Sequence, residues 1–112
     1  MSLDRLSRTC YTEDHEAFRD TVRRFVAAEL EPNATRWDEE GIVPREAWPK
    51  AGELGLLCPT VPEAYGGLGL DFGYNAVIDE EIGYGTDVAT GFSLQSDIVA
   101  NYIIQYGSEE QK

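Results

Sequence analysis

Apolar residues recur at helical spacing in several stretches of this chain, and prolines and glycines break the pattern between them. In the first stretch Phe18, Val22, Phe25 and Val26 fall on one helical face and Leu30 extends it, flanked by Arg19, Arg23 and Arg24. Thr12 is placed to cap this helix, with Glu13 and Asp14 in its first turn, where negative charge suits the helix dipole. His15 stands where Glu or Gln would complete a reciprocal capping box, so the box is expected to be absent. Pro32 is expected to kink or end the helix. A short helical stretch over 33–40 follows, with Trp37 inward and Gly41 as its stop.

The second helix is predicted over 44–54, with Trp48, Ala51 and Leu54 inward and Gly55 in a left-handed cap. The third is capped by Asp71. Its apolar face is Tyr74, Val77, Ile78 and Ile82; Asp79, Glu80 and Glu81 lie mainly elsewhere, and Gly83 and Gly85 end it. Thr86 caps the fourth, with Asp87 in its first turn. This helix is apolar on two sides: Val88, Phe92, Val99, Tyr102 and Tyr106 suggest one contact surface, Leu94 and Ile98 another. A helix apolar on two faces sits between neighbours, so this one is expected to be central. Gly107 stops it, and Ser108-Glu109-Glu110-Gln111 reads as a capping box opening a new helix. A helix signal just before Lys112 leads us to expect further polypeptide beyond it.

Between the second and third helices lies Val61-Pro62-Glu63-Ala64-Tyr65-Gly66-Gly67-Leu68-Gly69-Leu70. Proline and three glycines exclude a helix, at roughly 1 kcal/mol per glycine. Val61, Tyr65, Leu68 and Leu70 are expected to pin an ordered, partly buried turn to the core. The fold class expected is therefore all-α: an up-and-down-like bundle of four main helices with a glycine-rich ordered turn in the middle.

The 112 residues amount to one domain, and an apolar fraction of 42% is that of a globular protein. A chain of this size leaves apolar faces that need a partner. The net charge of -12 argues against nucleic acid or an anionic membrane as partner, and against this chain alone cradling a pyrophosphate. Cys10 and Cys58 are read as free thiols in a reducing compartment. With neither an apolar signal core nor a stretch near the roughly 20 apolar residues of a membrane span, the expected location is cytoplasmic.

Each candidate chemistry meets an obstacle. The Gly66-Gly67-Leu68-Gly69 run lacks the dinucleotide fingerprint: Phe72 stands where the third glycine belongs, and no strand precedes it. Glu80 and Glu81 are adjacent and point to different helix faces. His15 is the sole histidine, so no Glu-x-x-His pair exists, and 38–41 lacks calcium-loop spacing. These acids are read as solvated faces or caps, and no metal site is expected. Ser93 and Ser96 have no histidine near in sequence, and His15 is read as a surface or capping residue. Leu94 and Ile98, beside Phe92 and Tyr102, suit either an acyl-chain cavity or ordinary helix packing. Asp97 and Asn101 face solvent or find polar partners in further polypeptide.

Five motifs together resemble the N-terminal helical domain of acyl-CoA dehydrogenases. They are Phe25-Val26-Ala27-Ala28-Glu29-Leu30-Glu31-Pro32, Trp37-Asp38-Glu39-Glu40-Gly41-Ile42-Val43-Pro44, Glu53-Leu54-Gly55-Leu56-Leu57, the glycine-rich turn 62–70, and Glu80-Glu81-Ile82-Gly83-Tyr84-Gly85 followed by 106–112. The resemblance covers 12–112, with 1–11 as an N-terminal arm. It implies a full-length enzyme with a middle β-domain and a C-terminal helical domain, both absent from this chain. It further implies FAD as cofactor, an acyl-CoA substrate, an electron-transfer flavoprotein as partner, and a homo-oligomer. In the family a glutamate takes the α proton and the β hydrogen passes to FAD as hydride; that glutamate and most flavin contacts lie in the later domains. No catalytic and no cofactor-binding residue is therefore assigned here, and the chain alone is expected to be inactive and without FAD. What carries over is the inner wall of the acyl pocket, placed at Leu94 and Ile98, with Phe92 and Tyr102 beside them. A flavin monooxygenase or acyl-CoA oxidase sharing this domain is the near rival. A free-standing helical interaction module is the distant one.

Overall fold

A computed structural model of the chain describes residues 8–85 and 90–112, and every regular element among them is helical. Thr86, Asp87 and Val88, expected to open the fourth helix, lie outside the described residues, as do residues 1–7 of the expected arm.

Helix α1 spans Glu13–Phe25. Its entry corrects the expectation at residue 15, because the capping box is present. Thr12 Oγ1 accepts from the His15 N–H at 3.3 Å, and His15 Nδ1 accepts from the Thr12 N–H at 2.9 Å. An imidazole nitrogen without a proton is an acceptor, so it serves where a carboxylate would. His15 is buried, so the surface half of its expected role also falls.

The chain passes from α1 into a π-wound segment, Val26–Leu30, and a 3-10 turn, Glu31–Asn33, before α2, Ala34–Glu40. Pro32 has no N–H and its ring crowds the carbonyl four residues back, so regular α winding cannot continue through it. The helix responds by widening: the Glu31 N–H reaches back to Val26 O. Trp37 is buried, and Gly41 ends α2 with a left-handed φ of 75°.

Helix α3, Ala47–Glu53, begins later than expected because the chain from Pro44 first makes a turn. Pro49 falls in its first turn, where a missing N–H costs nothing. Gly55 takes the left-handed position, and the Leu56 N–H bonds back to Ala51 O at 3.0 Å. That reversal lays Leu56 against the core and leaves Leu54 exposed, correcting its inward assignment.

The glycine-rich turn is held by its backbone. Gly66 N–H donates to Glu63 O (3.0 Å), Gly67 N–H to Pro62 O (3.1 Å) and Gly69 N–H to Val61 O (2.8 Å). A Cβ on Gly67 would stand 2.0 Å from Val61 O, so this close approach of two backbone segments demands glycine. The apolar pins are weaker than expected: Val61, Tyr65 and Leu70 are half-buried, and Leu68 is exposed.

Helix α4, Phe72–Gly85, starts where Asp71 Oδ1 accepts from the Gly73 N–H at 2.8 Å, and it runs through Gly83 instead of ending there. It packs along α1, and their contacts advance together, from His15 beside Tyr74 to Arg23 beside Glu81. The two helices therefore run in the same direction, as the first and third main helices of an up-and-down order do. Val22, Phe25, Leu30, Trp37, Ala51, Leu56, Val77, Ile78 and Phe92 form one core.

The last helical run continues from Phe92 through a π-wound segment, Leu94–Val99, into α5, Ala100–Tyr106. Gly107 ends it, and the Ser108 box forms: Gln111 Oε1 accepts from the Ser108 N–H (2.9 Å) and Ser108 Oγ from the Gln111 N–H (3.3 Å). Ile98, Val99, Tyr102 and Tyr106 are exposed, so this run is not central within the chain. The molecule measures 44 × 39 × 19 Å, only about two helices deep, and a slab of that depth has no third layer to cover the outer face.

Candidate functional site

The four residues expected to wall an apolar pocket separate into two groups. Phe92 belongs to the core, its ring edge-on to Trp48 at 4.5 Å. Leu94, Ile98 and Tyr102 are 61%, 50% and 65% exposed and share the outer surface with Val99, Ile103 and Tyr106. Phe92 thus anchors the run from which the others project.

Two polar residues between them face inward. Ser96 is buried, and its Oγ accepts from the Cys58 N–H at 2.9 Å. Cys58 holds a left-handed φ of 49° on the short exit from α3. Asp97 is half-buried. Burial, then a hydrogen bond with Asp79 and the charge of Asp79, push its carboxyl up to about 7. Asn101 Nδ2 donates to Asp97 O at 2.8 Å, closing a turn of its own helix.

A second cluster lies between α1 and α4, and it corrects the reading of the acids as solvated. Glu81 is 4% exposed. Its Oε1 accepts from Arg19 Nη1 and Arg23 Nη2, and its Oε2 from Arg23 Nε, each at 3.0 Å. Glu80 accepts from Arg8, from Tyr11 Oη at 2.8 Å and from Arg19 Nη1 at 2.9 Å. Burial alone would raise the Glu80 pKa, but these donors outweigh it and hold the carboxyl below its usual range. The same partners raise Arg19 against its own desolvation. Carboxylates and guanidinium groups so matched hold two helices together and leave no open coordination position. Among the described residues no group of three His, Cys, Asp or Glu side chains is placed to hold a metal ion.

A groove of about 460 Å³ lies between the end of α1 and α3, lined by Thr21, Phe25, Ala28, Lys50 and Leu54 among others. None of the four expected pocket residues borders it. The glycine-rich turn does not suit a dinucleotide: the Gly66, Gly67 and Gly69 N–H groups are all spent on carbonyls of the turn itself. The flavin that the resemblance implies therefore finds no pyrophosphate cradle in this turn.

The family profile described as "Acyl-CoA dehydrogenase, N-terminal domain" matches residues 12–112. The chain belongs to the acyl-CoA dehydrogenase family. Its likeness to acyl-CoA dehydrogenases extends through sequence and structure alike. It is 44% identical over 104 residues to the long-chain specific acyl-CoA dehydrogenase, mitochondrial, of Sus scrofa, covering 93% of this chain and 24% of that protein. It is 39% identical over 102 residues to the short-chain specific acyl-CoA dehydrogenase, mitochondrial, of Homo sapiens, covering 89% and 24%. The crystal structure of an acyl-CoA dehydrogenase from Geobacillus kaustophilus superposes with a TM-score of 0.89 at 44% identity, over 95% of this chain and 28% of that one. This acyl-CoA dehydrogenase domain thus spans about a quarter of the length of its relatives.

Sequence reasoning missed Ser96 and Glu81. Ser96 sits within the apolar run as a small polar residue, which is a usable signal. Glu81 follows from pairing the Arg19–Arg23 spacing on α1 with a facing acid, a pairing that only the parallel packing of α1 and α4 reveals.

Proposed function

We propose that this domain is the N-terminal part of an FAD-dependent acyl-CoA dehydrogenase and that Leu94, Ile98 and Tyr102 form the inner wall of its acyl pocket, with Phe92 as their anchor. The observation that carries the reading is the contiguous apolar strip on the outer face of the last helical run. A saturated acyl chain makes no hydrogen bonds, so its recognition requires apolar surface and exclusion of water. In such an enzyme bound FAD would supply a hydride acceptor for the β hydrogen, and a glutamate would remove the α proton. Both groups belong to the rest of the polypeptide, and this domain's residues shape and dry the far end of the pocket. The whole enzyme is read as a homo-oligomer that delivers electrons to an electron-transfer flavoprotein. No described helix is long and apolar enough to cross a membrane. The free Cys10 and Cys58 fit a reducing compartment, and we place the enzyme in the cytoplasm.

The test is Leu94→Trp and Ile98→Trp in the full-length enzyme, assayed across acyl-CoA chain lengths. Both variants are expected to lose activity on the longest substrates first, with kcat/KM falling about tenfold or more there. An unchanged chain-length profile removes these residues from the pocket. The 112-residue chain on its own is expected to bind no FAD and to oxidise no acyl-CoA. Flavin absorbance co-purifying with it overturns that part.

A further inference from the structure

The strip that carries Leu94 and Ile98 is wound as a π-helix over Leu94–Val99, with the Ala100 N–H reaching back five residues to Gln95 O. A π turn holds one residue more than an α turn, so the residues beyond it are rotated by about 100° relative to an unbroken α-helix. Whether Leu94 and Ile98 face the same way as Tyr102 therefore depends on keeping this winding. Pure α winding has the better hydrogen-bond geometry, so a π segment needs an outside contact to hold it.

Ser96 supplies such a contact. It lies at the centre of the π segment, buried, between the exposed Leu94 and Ile98. Its hydroxyl oxygen receives the Cys58 N–H at 2.9 Å across a sequence separation of 38 residues. Cys58 is itself constrained, with a left-handed φ of 49° that a residue other than glycine adopts only when its surroundings impose it. A Cys58 in extended backbone would aim its N–H elsewhere. The exit from α3 and the π segment therefore fix one another.

We propose that Ser96 is a positioning residue for substrate length: by receiving the Cys58 N–H it holds the π winding and so aims Leu94 and Ile98 into the acyl pocket. This rests on the reading of those two side chains as the pocket wall. The Cys58 contribution comes through its backbone N–H, and its thiol takes no part.

The experiment compares Ser96→Ala and Ser96→Thr in the full-length enzyme, alongside Leu94→Trp and Ile98→Trp, with kcat/KM measured over a series of acyl-CoA lengths. Ser96→Ala is expected to change the ratio of long-chain to short-chain kcat/KM about tenfold, mostly through KM. Ser96→Thr, which keeps the oxygen, is expected to restore the ratio. If Ser96→Ala does not fold, the isosteric pair Ser96→Thr and Ser96→Val gives the same comparison with and without the acceptor. Cys58→Gly, which keeps the N–H and suits φ of 49°, is expected to leave the ratio unchanged. A Ser96→Ala profile that is unchanged, or lowered equally at every length, overturns the positioning role while the tryptophan variants still shorten the range. Tryptophan variants without effect overturn the wall itself, and the positioning role with it. Cys58→Gly reproducing the Ser96→Ala profile overturns the assignment to the amide.

Discussion

At position 15 one imidazole serves two helix ends. Nδ1 accepts from the Thr12 N–H, which places the ring proton on Nε2, 2.8 Å from Asp71 Oδ1. Asp71 in turn caps α4 through the Gly73 N–H. The starts of α1 and α4 are therefore joined side chain to side chain. His15→Ala is expected to destabilise the domain by about 1–2 kcal/mol, and His15→Gln, which can still receive the Thr12 N–H, by less. Urea unfolding midpoints of the three proteins check the order. Gly73 sits under this link: a Cβ there would lie 2.6 Å from His15 Nε2 and 2.7 Å from Asp71 Oδ1. Gly73→Ala is thus expected to destabilise, although alanine in an ordinary helix position gains about 1 kcal/mol. A higher melting temperature for that variant would refute the close approach.

Between elements, charge does the work that the apolar pattern leaves undone. The stretch of α4 that carries Glu80 and Glu81 looks polar and solvated in sequence, yet α1 presents Arg19 and Arg23 to these acids. Glu81→Gln would remove one of the carboxylates that the buried Arg19 meets and leave Glu80 to carry the pairing. The expected cost is about 2 kcal/mol, below that of fully buried pairs because Arg23 is half-exposed. The acids also predict how stability follows pH. Glu80 has its pKa depressed on folding, so its contribution is present above the unfolded value of about 4.3 and is lost as pH falls through the folded one. Asp97 has the opposite sign. Its folded pKa of about 7 lies above the unfolded one, so its contribution is present below about pH 4 and is lost as pH rises towards 7. Asp97→Asn is therefore expected to flatten the neutral limb of a stability–pH curve and Glu80→Gln the acid limb. Denaturant titrations across that range decide both.

For the molecule as a whole, two helix layers cannot enclose a run that is apolar on two sides. The inner side reaches the core through Phe92 and Ala100, while the other keeps Leu94, Ile98, Tyr102 and Tyr106 exposed. An uncovered strip of this kind binds apolar probes. The 112-residue chain is expected to enhance the fluorescence of an anilinonaphthalene sulfonate dye, and Leu94→Lys with Ile98→Lys to remove most of the signal. Equal fluorescence from that double variant would place the dye, and the open apolar surface, elsewhere.

Helix periodicity, the glycine stops at Gly41, Gly55 and Gly107, and the Ser108 box were legible along the chain because they depend on residues within a turn or two of each other. So was membership of the family, through the order of five such local motifs. The burial of Glu81, the link from His15 to Asp71, the side-by-side packing of α1 and α4 and the π winding around Ser96 were not. Each depends on which surfaces meet after the glycine-rich turn has redirected the chain, and on donors and acceptors brought together from residues dozens of positions apart. Short-range pattern sets where helices begin and end; burial and charge pairing are settled only when those helices pack.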